Sequence, residues 1–225
     1  MAVANTSNYL PLTGGTLTGN LIISNDKGLQ IGTLKSNTTL GSYAFAQGYN
    51  VKASGVNSHA EGGSTTASNS CSHAEGISTT ASGANSHAEG SNTIASNSSS
   101  HAEGGTTTAS GPYSHAEGNS TYASGSDSHA EGNSTSASNN SSHAEGYGTT
   151  ASGADSHAQG YYTTASGSHS HAQGYYTTAQ SRSQTVLGEY NTIDSTGTAT
   201  TRGLYAIILG NGTSDSARSN AMCVD

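Results

Sequence analysis

One spacing constrains the fold of this chain more than any other feature: histidine recurs every 14 residues, without a slip, from His59 to His171. Each of the nine copies reads Ser-His-Ala-Glu/Gln-Gly, followed three residues later by Thr-x-Ala. Degenerate copies in the same phase flank the run at Phe45–Gly48 and Thr185–Gly188. A disordered linker has no reason to keep this register, so the period predicts an ordered repeat array with atypical ends.

The residues of the unit favour two short strands joined by two turns. Gly, Ser, Thr and Asn are poor helix formers, and 14 residues are too few for a helical repeat. Ser58–Glu61 is predicted as one strand, ended by Gly62. Thr65–Ser68 is predicted as the other, ended by Asn69 or, one repeat later, by Gly83, with Gly and Asn supplying the positive φ of the turns. Stacked at about 4.8 Å, roughly ten such coils form an all-β solenoid about 50 Å long.

Strand alternation sorts the side chains by face. Ala60 points opposite to His59 and Glu61, so it is predicted to lie inside the coil. Thr65 and Ala67 complete the interior, since a two-stranded coil accepts only small side chains. The slot between them faces outward and varies among Thr, Ile, Tyr and Ser.

The outward row of His and Glu does not vary as an exposed row should: His is constant, and Glu changes only to Gln. A thin coil filled with Ala also buries too little apolar surface to be stable alone. Both observations predict that three chains associate with this row toward a common axis, with Phe45, Val186 and Leu187 closing its ends. The predicted trimer-core residues, which we call the His–Glu face, are His59, Glu61, His73, Glu75, His87, Glu89, His101, Glu103, His115, Glu117, His129, Glu131, His143, Glu145, His157, Gln159, His171 and Gln173.

Two protonation states of this face stay open. Neutral histidines buried at the axis would repel one another once protonated near pH 5, which would weaken the trimer. Imidazolium groups paired with neighbouring Glu would instead be most stable below a raised histidine pKa.

Two further groups of side chains are candidate sites. Tyr161, Tyr162, Tyr175 and Tyr176 cluster in the last two full repeats, where exposed tyrosines suit either glycan contact or packing of a following domain. His169 and His171 form a His-x-His pair, which we keep as an alternative metal site. For the His–Glu face we favour a hydrogen-bonded core over a metal site, because Glu or Gln supplies a partner at every level.

The sequence argues against several classes of function. The formal charge of −8, with only six Lys and Arg and no basic cluster, argues against nucleic-acid binding. No apolar run approaches the roughly 20 residues of a membrane helix. No cofactor motif occurs, and nine identical copies along a rod do not form a catalytic pocket, so we expect neither a cofactor nor an enzyme. Cys71 and Cys223 do not suggest a disulfide framework, and Cys71 is expected to be a surface thiol.

The repeat resembles the head repeats of trimeric autotransporter adhesins, the YadA-like head family. Asn57–Gly62 matches the first element of that family's 14-residue unit, and Thr65–Ala67 matches the second. The resemblance covers residues 42–190 and implies a left-handed parallel β-roll that forms a homotrimer. The family places Val and Ile in the slots that face the trimer core, whereas this chain has His and Glu there, so the expected core is polar.

The ends resemble a different group of proteins. Leu10–Leu21 is similar to a motif of bacteriophage tail fibres and tail-tip proteins, and Ala206–Ala221 resembles the element that precedes a self-cleaving chaperone domain of the peptidase G2 type in phage tail proteins. We therefore expect residues 1–41 to attach or trimerise the chain, residues 42–190 to form the β-roll, and residues 191–225 to form a β segment before such a domain.

The expected function is structural and adhesive, in a phage tail fibre or tail tip. Expected partners are two further copies of the chain, other tail or baseplate proteins, and a host-surface glycan or protein. The expected location is the virion, outside the cell. A bacterial cell-surface adhesin head is one alternative, and an ice-binding solenoid that uses the outward Thr66 row is another.

Overall fold

Consecutive repeats stack strand upon strand in register. A computed structural model describes residues 28–225, in which the chain winds into a parallel β-solenoid of about 12 turns with no helix. His59 pairs with His73, and the alanine and glutamate that follow each of them pair in the same way. The all-β solenoid predicted from the 14-residue period is thus confirmed.

The solenoid contains 23 strands within the described residues. In chain order they are β1 (Leu29–Leu34), β2 (Phe45–Ala53), β3 (His59–Gly63), β4 (Thr66–Ala67), β5 (His73–Ile77), β6 (Thr80–Ala81), β7 (His87–Ser91), β8 (Ile94–Ala95), β9 (His101–Gly105), β10 (Thr108–Ala109), β11 (His115–Asn119), β12 (Tyr122–Ala123), β13 (His129–Asn133), β14 (Ser136–Ala137), β15 (His143–Tyr147), β16 (Thr150–Ala151), β17 (His157–Tyr161), β18 (Thr164–Ala165), β19 (His171–Tyr175), β20 (Thr178–Ala179), β21 (Thr185–Glu189), β22 (Ile207–Asn211) and β23 (Asn220–Val224).

Each full repeat contributes one strand to each of two parallel sheets. The five-residue strands that start at His form one sheet, and the two-residue strands that end at Ala form the other. The long β2 pairs in both sheets, with β3 and with β4. The repeat is therefore one coil with two strands and two turns, as predicted.

Parallel stacking continues on both sides of residues 42–190. β1 pairs in parallel with β2 at the N-terminal side. β22 pairs in parallel with β21, and β23 then pairs antiparallel with β22 at the C-terminal end of the stack. The Leu10–Leu21 motif lies outside the described residues.

The interior consists of the small residues that the alternation predicts. Ala60, Thr65 and Ala67 are fully buried, and so are their equivalents in every full repeat. A fourth buried row, Ser58 and its equivalents, was missed by the sequence analysis, although Ser58 shares its face with Ala60. The Ser58 hydroxyl donates a 2.8 Å hydrogen bond to the carbonyl of Gly55, so the buried hydroxyl is satisfied.

The prediction that Val186 closes a trimer axis is wrong. Val186 pairs with Ala172 and is fully buried inside the coil, because it occupies the interior alanine slot of its repeat. Leu187 pairs with Gln173 and continues the outward row. At the other end, the Phe45 ring lies 4.8 Å from the His59 ring and also continues that row.

The turn after the second strand differs from the prediction. Neither Asn69 nor Gly83 has a positive φ; the left-handed residue comes two positions later, at Cys71 (φ 54°) and Asn85 (φ 57°). Asn69 instead accepts a 2.8 Å hydrogen bond from the Ser70 amide on its side chain. Cys71 is exposed, as predicted, because the side chain of this left-handed residue points to solvent.

Gly62→Ala and Gly63→Ala form a matched pair of substitutions that tests the stacking. Gly62 has φ +110°, and a Cβ there would lie 2.1 Å from the Gly76 carbonyl oxygen, whereas a Cβ on Gly63 meets nothing within 4 Å. We expect Gly62→Ala to lower the free energy of unfolding by roughly 2–4 kcal/mol through strain and overpacking. Gly63→Ala should change it by less than about 1 kcal/mol. Thermal melting followed by circular dichroism measures both, and equal melting temperatures for the two variants would contradict the stacked geometry.

Candidate functional site: the His–Glu face and the tyrosine cluster

In-register stacking places the nine histidines of the His–Glu face in one continuous column. Ring centroids on neighbouring coils lie 4.5–4.9 Å apart from His59 to His171. Between His101 and His157 consecutive rings are within 6° of parallel. The imidazoles are stacked because each coil repeats the backbone, and therefore the side-chain direction, of the coil before it.

Seven of the nine histidines, His59 to His143, also face the glutamate of their own coil. The distance from His Nε2 to Glu Oε2 is 3.5 Å for His59 with Glu61 and for His101 with Glu103, and it reaches 4.0 Å for His143 with Glu145. All nine Nε2 atoms are shielded from solvent, yet none has a hydrogen-bond partner among the described residues. The carboxylates are thus close to the imidazoles without satisfying them.

A single chain leaves this face half open. From His59 to His157 each imidazole side chain keeps 33–38% of its surface exposed. The Nε2 atoms belong to the shielded part of each ring. Contact of this face with further copies of the chain stays a prediction.

Burial lowers the pKa of several of these histidines. The pKa of His73, His101, His115, His143 and His157 lies below the ordinary value of 6.5, first because of desolvation and then because each neighbouring histidine disfavours a second positive charge. Nearby glutamates oppose the shift without reversing it. Of the two protonation states left open by the sequence, this electrostatic environment favours neutral imidazoles at pH 7.

Three sets of side chains on this face could hold a metal ion. In each set, three residues offer one ligand atom each, and these three atoms lie within 4.8 Å of one another. Each set consists of a His, the Glu of the same coil, and the His of the next coil. The three sets are His101, Glu103 and His115; His115, Glu117 and His129; and His143, Glu145 and His157.

The two histidines proposed as an alternative metal pair do not belong to a common set. His171 begins β19 and ends the histidine column, with its ring edge to face against His157, but His169 occupies the left-handed turn position with φ 59°. Its side chain is 57% exposed, with Nε2 3.6 Å from Asp155 Oδ2. The rule that residues two apart share a face holds only in extended backbone, and His169 precedes the strand.

Six tyrosines at the end of the repeat array form two stacked columns, which we call the tyrosine cluster. Tyr147, Tyr161 and Tyr175 are stacked at 5.0–5.1 Å. Tyr162, Tyr176 and Tyr190 occupy the turn one residue further on and are stacked at 4.9–5.1 Å. The columns meet edge to face, as where Tyr161 lies 4.9 Å from Tyr162. The four tyrosines singled out in the sequence are thus brought together, with Tyr147 and Tyr190 at the two ends.

This packing changes what the cluster offers a ligand. The ring faces are covered by the next tyrosine of the column, so edges and hydroxyl groups are the exposed parts. Burial and a hydrogen bond with Tyr175 raise the pKa of the Tyr190 hydroxyl to about 12. The Tyr190 hydroxyl therefore stays protonated at physiological pH and can donate or accept a hydrogen bond.

The C-terminal segment packs against the lower end of the cluster. Arg218 donates hydrogen bonds of 3.0 and 3.2 Å to the carbonyls of Tyr176 and Asn191, and its guanidinium carbon lies 5.7 Å from the Tyr190 ring centroid. Arg218 also pairs with Asp215. Packing of a following segment thus accounts for Tyr176 and Tyr190, while Tyr147, Tyr161, Tyr162 and Tyr175 stay 39–42% exposed.

The outward threonine row is uneven. Ile94 and Tyr122 occupy threonine slots of this row and are 41% and 48% exposed, and Thr66 accepts a hydrogen bond from the Lys35 ammonium. Ice binding by this row stays a prediction.

Comparison with protein-family models gave no match, and comparison with curated protein sequences gave none either.

The lowered pKa of the histidines predicts a loss of stability in acid. A histidine whose folded pKa lies below its unfolded pKa binds more protons when unfolded, so stability falls once the pH drops below about 6.5. We expect a lower melting temperature at pH 5.5 than at pH 7.5, measured by circular dichroism in the presence of a chelator.

The triple variant His101→Gln, His115→Gln, His143→Gln serves as the control. It removes three of the shifted imidazoles and should flatten the pH dependence. A wild-type melting temperature that rises at pH 5.5 would instead show that imidazolium–carboxylate pairs stabilise the fold.

Proposed function

We propose that this chain is a structural and adhesive segment of an extracellular fibre, a bacteriophage tail fibre or tail-tip protein that acts as a homotrimer. The observation that carries the proposal is the His–Glu face, which is invariant in histidine, points outward, and leaves its Nε2 atoms without partners in a single chain.

The thinness of the solenoid supports association. Between Ala53 and Ser181 the buried interior holds only alanine, serine and threonine side chains. Small side chains bury little apolar surface, and a fold that buries little needs stabilisation from elsewhere. Association of several rods along their length supplies it without changing the coil.

The His–Glu face is the surface best suited to that contact. The outward threonine slot varies among repeats, whereas the histidine slot does not, so solvent exposure alone does not explain the constant residue. In a three-fold assembly each layer would contain three imidazoles and three Glu or Gln side chains, which supply both donors and acceptors. Small rotations of the half-exposed side chains on assembly would let imidazole nitrogens that lack partners form hydrogen bonds between chains.

The two ends support the phage setting over a bacterial adhesin head. The resemblance of Leu10–Leu21 and Ala206–Ala221 to phage tail proteins concerns the ends, while the repeat by itself suits either setting. Residues 1–41 would then contact other tail or baseplate proteins. The tyrosine cluster, with its exposed hydroxyl edges, would contact a glycan or protein on the host surface.

Mass in solution tests the trimer. We expect a molar mass of three times 22.4 kDa by light scattering at pH 7.5. His115→Lys places three like charges in one layer of the axis and should shift the mass to that of one chain. Thr108→Lys, which adds the same charge to the other outward row, should leave the trimer intact. A wild-type monomer would overturn the trimer, and so would equal behaviour of the two variants.

Binding to an array of bacterial surface polysaccharides tests the adhesive role. The double variant Tyr161→Phe, Tyr175→Phe keeps both stacked rings and removes two exposed hydroxyls, so it should lower binding several-fold. Tyr113→Phe alters an exposed tyrosine outside the cluster and is the matched control. No retained polysaccharide, or equal binding by the double variant and the control, would argue against a glycan contact at this cluster.

A further inference from the structure

We propose that the His–Glu face binds divalent first-row transition-metal ions of the Zn²⁺ type, at two places per chain. One place lies within His101–His129, and the other is formed by His143, Glu145 and His157. The inference goes beyond the proposed fibre function and does not rest on the trimer, because all three protein ligands of each site come from one chain.

The first support is the chemistry of the ligands. Two imidazoles and a carboxylate are a donor set that Zn²⁺ uses in proteins, and imidazole also suits Ni²⁺ and Cu²⁺. The fourth position stays open for water or for a group from another chain. The formal charge of −8 favours the approach of a cation over an anion.

The second support is the distance between the ligand atoms. Metal–ligand bonds to His and Glu are about 2.0–2.2 Å, so two ligand atoms of a tetrahedral zinc ion lie roughly 3.3–3.6 Å apart. The Nε2–Oε2 distance within a coil is 3.5 Å for His101 with Glu103 and 3.6 Å for His115 with Glu117, which already fits that range. The Glu145 carboxylate lies near both of its histidines, with Oε2 4.0 Å from His143 and Oε1 3.9 Å from His157.

The third support is that side-chain rotation can bring in the third ligand. Ligand atoms within each set are at most 4.8 Å apart, about 1.2 Å beyond the spacing of a tetrahedral zinc site. These side chains are on the surface, about a third of each imidazole is exposed, and their Nε2 atoms have no hydrogen bond to break. A rotation of one imidazole out of the stack brings its nitrogen to the ion.

The distribution of the sets fixes the number of ions. The sets His101–Glu103–His115 and His115–Glu117–His129 share His115, so only one of them is filled at a time. The set around Glu145 shares no ligand with either. Beyond it, Gln159 and Gln173 replace the carboxylates, and no three-ligand set occurs there among the described residues. Two ions per chain is therefore the expected stoichiometry.

Zinc titration of the full, tag-free chain tests the inference. After treatment with a chelator and dialysis against Zn²⁺ at pH 7.5, elemental analysis and calorimetry should give two ions per chain for the wild type. Glu145→Gln should bind one ion, and Glu103→Gln combined with Glu117→Gln should also bind one. Glu61→Gln is the matched control: its carboxylate lies 3.5 Å from His59, but it belongs to none of the three sets, so this variant should bind two.

Two results would overturn the inference: a wild-type chain that binds no zinc, or a Glu145→Gln variant that binds as many ions as Glu61→Gln. Circular dichroism of each variant confirms that it is folded before titration. Molar mass measured on the same samples separates this inference from the proposed function. A monomer that binds two ions keeps the metal sites and rejects the trimer, and a trimer that binds none does the reverse.

Discussion

The structure depends on one constraint: successive coils hydrogen-bond in parallel register, at the roughly 4.8 Å spacing of β-strands, with a period of 14 residues. In such a stack every position of the repeat becomes a row that runs along the rod. The residue type at each position must therefore suit a whole row of stacked copies, not one isolated side chain. Interior columns must be small, turn columns must accept the left-handed conformation, and outward columns must tolerate contact with their own copies above and below.

The interior rows show which buried residues strand alternation can predict. Ala60, Thr65 and Ala67 were predicted because small residues recur at them without change, and all three are fully buried. Ser58 follows from the same alternation, but it was not assigned to the interior. Its hydrogen bond to the Gly55 carbonyl, which lies three residues back, is a turn contact that periodicity does not reveal. Val186 shows the reverse error, since its apolar character suggested an end plug while its phase placed it in the coil.

Conformation at the turns was harder to predict than burial. The left-handed residue is Cys71 in one repeat, Asn85 in the next and His169 near the end, so the residue type carries little information about φ. The same shortfall affected the candidate sites. His169 was grouped with His171 by a spacing rule that applies only in strands. The tyrosines were predicted to cluster and do so, but their face-to-face stacking depends on two adjacent columns with the same period, and it leaves edges rather than faces exposed.

On the His–Glu face, in-register stacking brings groups that can carry the same charge close together. Stacking at about 4.8 Å suits neutral rings, but two protonated rings at that distance repel by roughly 1–3 kcal/mol, depending on how much water screens them. The column must therefore stay largely neutral, be compensated by carboxylates, or share its nitrogens with a metal ion. Compensation is uneven along the rod: most coils offer a glutamate to each imidazole, whereas Gln159 stands beside His157, and Glu145 of the coil before is the carboxylate that opposes its lowered pKa. Carboxylate compensation is therefore weakest at the end of the column that carries Gln, next to the tyrosine cluster, where a single carboxylate opposes the lowered pKa of His157.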